Sequence, residues 1–216
     1  MIKKPSNFRE ICMGGISPNK LYRSNHPVYN GKQVSDIIMA ANYAKINTVI
    51  NLVDTVPALK SKIIFCPWYK KLYENNNVIT LNISMKFGIM EQTLHEKIRK
   101  GVKFMIKHDP PYLLHCEAGI DRTGFLSIIL ESFMGAKFEN MARDYMLSFV
   151  GSSEYSTNDY NNGTIFIRNL FSEIKGGLIN SDDDLQSLSK SYLLNNIGLR
   201  DSELNILANK LGEQKD

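Results

Sequence analysis

The run Leu113-Leu114-His115-Cys116-Glu117-Ala118-Gly119-Ile120-Asp121-Arg122-Thr123-Gly124 sets a thiol and a guanidinium at the two ends of a short segment containing glycine. Tyr112 to Leu114 reads as a short buried strand, and Phe125 to Met134 is an almost wholly apolar run closed by Gly135, so the segment joins a strand to a helix. Such a loop is an anion cradle. Gly119 tolerates a tight backbone that lets amides turn inward, and a helix starting near Arg122 aims its unpaired N–H groups and positive dipole end at the same point. A thiol held at a helix N-terminus beside an arginine drops from roughly 8.5 to about 3.5–7.5 in pKa, which makes Cys116 the candidate nucleophile. Arg122 offers two parallel donors to two oxygens of a phosphoryl group. The backbone of Glu117, Ala118, Gly119 and Ile120 supplies the rest of the binding wall. Thr123 can donate its hydroxyl to the sulfur. His115, at the strand end, is suited to fixing the loop and thiol by hydrogen bonds rather than to transferring protons.

A free cysteine is most often an ordinary buried side chain; His, Gly, Arg and Thr at these spacings set Cys116 apart. His115-Cys116, five residues, then Arg122-Thr123 resembles the signature of the cysteine-dependent protein tyrosine phosphatase superfamily. Asp121 before the arginine is similar to the subgroup with an Asp-Arg-Thr-Gly loop, which includes bacterial tyrosine phosphatases and phosphoinositide-active members. The likeness extends to Asn7-Phe8-Arg9-Glu10 with Gly14-Gly15, to Leu21-Tyr22-Arg23-Ser24, and to Asp144-Tyr145-Met146-Leu147-Ser148. The resemblance implies an α/β fold with a central, mostly parallel sheet flanked by helices. It also implies a segment like Leu21–Ser24 lying alongside the active-site sheet, where Arg23 either faces the phosphate pocket or is solvated.

The sequence departs from the family in one place. Between Ser84 and Gln92 the family usually carries a mobile loop with an aspartate that protonates the leaving group, yet no Asp occurs from Thr55 to His108. Two carboxyls are candidates for that role, worth ~10²- to 10⁴-fold in rate. Asp121 matches the position used by some Asp-Arg-Thr relatives, and Glu91 sits in the expected loop on a longer side chain. Asp54, at a strand end, is a weaker third that reads better as a cap or turn residue.

The remaining chain supplies the frame. Its 216 residues with 43% apolar content suffice for one domain with a proper core, about 1–150, and a C-terminal helical extension, about 150–216. Val34, Ile37, Ile38, Ala41 and Ala44 mark a helix over 33–45, and Thr48 to Val53 a strand covered on both faces. Pro57 and Pro67 bracket a weakly helical piece, with Trp68 to Tyr73 a short helix packed on the core. Val78 to Ile83 alternates as a strand, and Leu94, Ile98, Val102 and Met105 mark a helix over 91–108, stopped by Pro110 and Pro111. Further helices are expected over 138–149, around Ile167 to Ile174, after Asp182-Asp183-Asp184, and after Asp201 as N-cap, with a polar surface loop over 151–163. Helix alternating with strand is the pattern of an α/β domain. His26 reads as a surface residue.

A net charge of +4 gives no sign of bulk nucleic-acid binding. Cys12, Cys66 and Cys116 share no metal-like spacing, and their odd number fits a reducing compartment. No apolar run follows Lys3-Lys4 and none is long enough to span a bilayer, so the expectation is a cytoplasmic protein without cofactor or metal. Its partner is a phosphorylated protein, or a phosphorylated small molecule or lipid headgroup; oligomeric state is left open. The expected activity is phosphate monoester hydrolysis through a cysteinyl-phosphate, with phosphotyrosine ahead of phosphoinositides or inositol phosphates. Glu117 adds negative charge and Ile120 stands where this subgroup frequently has Lys, which disfavours polyphosphorylated ligands. A catalytically weak phosphate-binding module is the alternative of another class. If Cys116 is an accessible thiolate, peroxide inactivates the protein and dithiothreitol restores it. Inactivation that reductant fails to relieve, with no overoxidised Cys116 by mass spectrometry, would contradict that expectation.

Overall fold

The structure is a computed structural model describing residues 7–28, 34–149 and 160–213. Five strands form one sheet in the order β1-β2-β5-β3-β4. They are β1 (Arg9–Ile11), β2 (Leu21–Ser24), β3 (Thr48–Asn51), β4 (Val78–Thr80) and β5 (Tyr112–His115). Only β1 runs antiparallel; β2, β5, β3 and β4 are mutually parallel and end at the same edge. The mostly parallel α/β sheet is the one expected from the alternation of helix and strand. The strand leading into the Cys116 loop lies at its centre, and the C-terminal edge of a parallel sheet is where such folds place their ligands.

Successive side chains of a strand point to opposite faces, and the sheet therefore feeds two cores. Leu21, Ile50, Tyr112 and Leu114 pack into one buried cluster, while Tyr22, Val49 and Leu113 pack into the other. The smaller cluster is closed by α1 (Val34–Tyr43), α2 (Val56–Ile63) and α3 (Pro67–Glu74) through Ala41, Leu59, Ile63 and Tyr69. Pro57 in the first turn of α2, with Thr55 accepting from the Ala58 amide, and Pro67 opening α3 set where these helices begin. The larger cluster is closed by α4 (Gln92–Lys107), α5 (Asp121–Phe133), α6 (Phe138–Leu147), α7 (Tyr160–Lys175), α8 (Leu185–Ser191) and α9 (Asp201–Leu211). In α5 every residue from Thr123 to Phe133 is buried, so this helix is enclosed on all sides.

Two local expectations are corrected. Of the polar stretch 151–163, residues up to 159 lie outside the described ones, and from Tyr160 the chain is already the first turn of α7. Asp201 is the first residue of α9 rather than its cap; Arg200 occupies the cap position, and its backbone N–H donates to the Glu203 carboxylate at 2.9 Å. After α8 the helix widens into a π turn, Tyr192–Asn196. There Tyr192 is fully buried and its hydroxyl donates to the Ile89 carbonyl at 2.8 Å.

The C-terminal helices share the main core: Tyr192, Leu193, Ile197, Leu204, Leu207 and Leu211 belong to the same buried cluster as Leu114 and Ile129. Leu207→Ala should then cost roughly 2–5 kcal/mol of stability and leave one cooperative calorimetric transition; two separated transitions would mark the C-terminal helices as an independent unit.

Candidate functional site

The loop after β5 has its carbonyls tied down from outside. The amide of Leu52 donates to His115 O at 2.9 Å and that of His26 to Glu117 O at 3.0 Å. Asn7 Nδ2 donates to Ala118 O at 2.8 Å and Arg23 Nη2 to Gly119 O at 3.0 Å, while the Gly124 amide takes Ile120 O as α5 begins. In a planar trans peptide the N–H points opposite to the C=O. Fixing the carbonyls outward therefore turns the amides of Ala118, Gly119, Ile120 and Asp121 to the inner side of the loop. The one inward contact agrees: Gly119 N donates to Cys116 Sγ at 3.3 Å. Gly119 sits at φ +74°, and a Cβ there would lie 2.6 Å from the Ser24 and Asn25 backbone, so the loop closes only with glycine.

Cys116 is buried to 2% exposure directly after β5. Arg122, half-buried in the first turn of α5, makes no hydrogen bond or ion pair among the described residues. Asp121, the first residue of α5, is exposed. Thr123 is fully buried and its hydroxyl has no hydrogen-bond partner among the described residues. The side chains of Glu117 and Ala118 face solvent, and that of Ile120 packs against the main core.

His115 is fully buried, with Nε2 2.8 Å from the Tyr69 hydroxyl and Nδ1 3.4 Å from the Cys116 carbonyl. Burial, followed by the neighbouring His26, holds its imidazole well below the usual pKa, so it is neutral. The Tyr69 hydroxyl, pushed up by burial, stays protonated. Its hydrogen bond goes to a ring nitrogen of His115, not to the thiol.

Several expectations meet a different geometry. Arg23 neither faces the pocket nor is solvated: it is fully buried beneath the loop, with Nη1 2.5 Å from Asp144 Oδ2 and Nη2 3.1 Å from Ser148 Oγ. Glu91 caps α4, accepting from the Thr93 and Leu94 amides and the Thr93 hydroxyl. The bond from the Thr93 hydroxyl is the main cause lowering its pKa, with the two amides adding to it, which leaves a carboxylate poorly suited to hold a proton. His26 is buried rather than exposed, its Nε2 2.7 Å from Asp54 Oδ2, and Lys62 Nζ lies 2.6 Å from Asp54 Oδ1. Asn51 Nδ2 bridges Asp54 at 2.8 Å and the Tyr69 hydroxyl at 3.2 Å. Asp54 is thus the ionised centre of a buried network. The sequence signal for that network was a polar Asn51 inside the apolar run Thr48 to Val53.

Among the described residues no group of three or more His, Cys, Asp or Glu is placed to hold a metal ion. None of their helices is long and apolar enough to cross a membrane.

The loop from Cys116 to Ile120 thus turns its amides inward at the C-terminal edge of a parallel sheet and continues into a buried helix, a setting suited to an anionic group. The family described as "Tyrosine phosphatase family" matches residues 2–213, and the chain belongs to it. It is a protein-tyrosine-phosphatase-like phosphatase, a hydrolase of phosphorylated substrates. Among solved structures, the core catalytic domain of PP-IP phosphatase SIW14 from S. cerevisiae is similar at 12% identity and TM-score 0.44, over 88% of this chain and 95% of that one. P. aeruginosa TpbA is similar at 15% identity and TM-score 0.47, over 86% and 90%. No curated protein matches the chain at a significant level.

The hydrogen bonds of His26, Lys62 and Asn51 overcome the burial that would raise the Asp54 pKa and hold it below the usual carboxylate range. A carboxyl depressed in the folded state stabilises the fold above its unfolded pKa of about 3.9 and loses that contribution on acidification. Thermal melts of Asp54→Asn should therefore fall below wild type at pH 6–7 and approach it as the pH drops below about 3. A deficit that is the same at every pH would show that the charge of Asp54 is not what matters.

Proposed function

We propose that this chain hydrolyses phosphate monoesters in two steps through a cysteinyl-phosphate on Cys116, with protein phosphotyrosine as the preferred substrate class. The observation that carries the reading is the Gly119 amide donating to Cys116 Sγ within a loop whose other amides turn to the same side. Donors aimed at a sulfur favour its thiolate, and the same donors suit the nonbridging oxygens of a phosphoryl group.

In this mechanism Cys116 attacks phosphorus in line, while Arg122 and the loop amides hold the nonbridging oxygens. Arg122 is free of competing partners among the described residues. Asp121 gives its proton to the departing oxygen, and in the second step takes one from the attacking water. Glu91, engaged as a helix cap, is set aside for this role. The uncommitted Thr123 hydroxyl assists departure of the sulfur.

Charge favours a singly phosphorylated group. From His115 to Gly124 the loop sets Glu117 against Arg122, with His115 neutral and Asp121 holding the proton it delivers. Ile120 turns its side chain to the core, so this position carries no weight in the choice of ligand. A ligand with several clustered phosphates would need more positive charge than this.

Phosphate release is measured in chelator and reductant from phosphotyrosine peptide, phosphoserine peptide, phosphoinositides and inositol phosphates. Cys116→Ser should lose at least about 10³-fold in kcat, in line with removal of a nucleophile. Phosphotyrosine peptide should be turned over fastest, and a faster inositol phosphate would reverse the assignment of substrate. Equal binding of a phosphopeptide by wild type and Cys116→Ser, without turnover by either, would instead favour a binding module. Asp121→Asn should cost ~10²- to 10⁴-fold on phenyl phosphate and much less on p-nitrophenyl phosphate, whose leaving group needs no proton. Equal losses on both would remove Asp121 from the general-acid role.

A further inference from the structure

Arg23 is fully buried and takes no part in the mechanism above. It leaves β2 fully buried, pairs through Nη1 with Asp144 on α6, and spends Nη2 on two acceptors, Ser148 Oγ and Gly119 O. Arg9 on β1 closes the same cluster: its Nε lies 2.7 Å from Asp144 Oδ1, and its Nη2 donates to Asp144 O at 2.6 Å and Ser148 Oγ at 2.9 Å. Asp144 is thereby held ionised between two guanidiniums, against the burial that opposes it. The remaining carboxyl nearby, Glu131 on α5, is fully buried with neither oxygen hydrogen-bonded among the described residues, and burial pushes its pKa well up, so it stays neutral. Two cations thus face one carboxylate; Arg23 Nε is buried without a hydrogen-bond partner among the described residues, while Nη2 reaches past Asp144 to the loop.

The Gly119 carbonyl is part of the Gly119–Ile120 peptide. Holding that oxygen down on Arg23 sends the Ile120 N–H to the opposite side, the inner side of the loop. Glycine at 119 would otherwise let this peptide rotate, since it lacks the steric limits of other residues. We propose that Arg23 is a positioning residue of the anion cradle: through the Gly119 carbonyl, and anchored by Asp144 and Ser148, it keeps the Ile120 amide aimed at the phosphoryl oxygens. Arg23 touches no substrate. Its planar fork is what the position requires, because one head must serve Asp144 and the loop carbonyl together, and a lysine ammonium at the end of a shorter reach cannot. The same arrangement gives a reason for the two stretches that flank the signature: Leu21–Ser24 brings the guanidinium and Asp144–Ser148 brings its anchors.

The inference rests on the phosphatase reading of the cradle, so its test has an arm independent of turnover. Inorganic phosphate is titrated by calorimetry into Cys116→Ser protein with and without Arg23→Lys, and kcat and KM for p-nitrophenyl phosphate are compared between wild type and Arg23→Lys. Circular dichroism melts verify folding in each case. Arg23→Lys should bind phosphate about tenfold more weakly and lose roughly 10- to 100-fold in kcat, the range of a misplaced oxyanion donor, with kcat falling more than KM rises. Asp144→Asn, which keeps the shape and loosens the anchor, should show the same pattern at smaller size and stands in if Arg23→Lys does not fold. Folded variants with phosphate affinity and kcat within twofold of wild type would overturn the proposal, as would a loss of activity that tracks only the unfolded fraction. If phosphate affinity falls as expected while Cys116→Ser retains turnover, the positioning role stands and the cysteine mechanism does not.

Discussion

A helix end acts on a ligand most strongly where water is kept from screening it. In α5 every residue from Thr123 to Phe133 is buried, so only its first turn, with Asp121 exposed and Arg122 half-buried, is open to solvent or a ligand. Enclosing a helix on all sides demands layers on all sides. The sheet covers one flank, and α4, α6, α8 and the π turn contribute to the cluster that covers the rest. Much of the larger core can be understood as the housing of this one helix and of the loop that enters it.

The loop itself has few apolar contacts to define it, so polar ones do. On one side Asn7 and Arg23 take the carbonyls of Ala118 and Gly119; on the other the amides of Leu52 and His26 take those of His115 and Glu117. Each side is backed by buried charge, Asp144 with two arginines on the first and Asp54 with His26 and Lys62 on the second. Burying ion pairs costs several kcal/mol per ion unless further hydrogen bonds complete them. Here Ser148, Asn51 and backbone groups supply most of them, with Arg23 Nε left unpaired among the described residues. Such clusters are weak sources of stability. What they provide is a backbone held in one arrangement at the place where amide direction decides chemistry.

Much of this frame was legible in the sequence because it follows from short-range rules. Strand, loop and helix around Cys116 could be read from an apolar run, a glycine and a second apolar run, and the parallel sheet from alternating helix and strand. Arg23, His26 and Asp54 were read poorly for the opposite reason. Each is polar in a segment with no periodicity of its own, and its burial depends on partners 121, 28 and 8 positions away. Charged residues are mostly exposed unless paired, and a pairing across such distances leaves no mark in local pattern. Glu91 is a different case: its position before α4 is the ordinary place for a capping carboxylate, and short-range rules alone assign it that role.

The segment from Leu81 to Gln92 ties these points together. The Ile89 carbonyl receives the Tyr192 hydroxyl at 2.8 Å and lies 2.9 Å from His95 Nε2, and its amide donates to Glu173 at 2.8 Å. Three elements, α4, α7 and the π turn, thus fasten one residue of the loop, and Ile89 itself is buried in the core. A loop that must carry an acid in and out of a site is drawn from weakly held segments; this one is anchored at Ile89 and contains no aspartate. The two features belong together if the proton donor is already in the cradle. On the proposed assignment Asp121 sits at the start of α5, and the π turn, by bringing Tyr192 to the Ile89 carbonyl, helps fix a loop whose one carboxylate, Glu91, is engaged as the cap of α4.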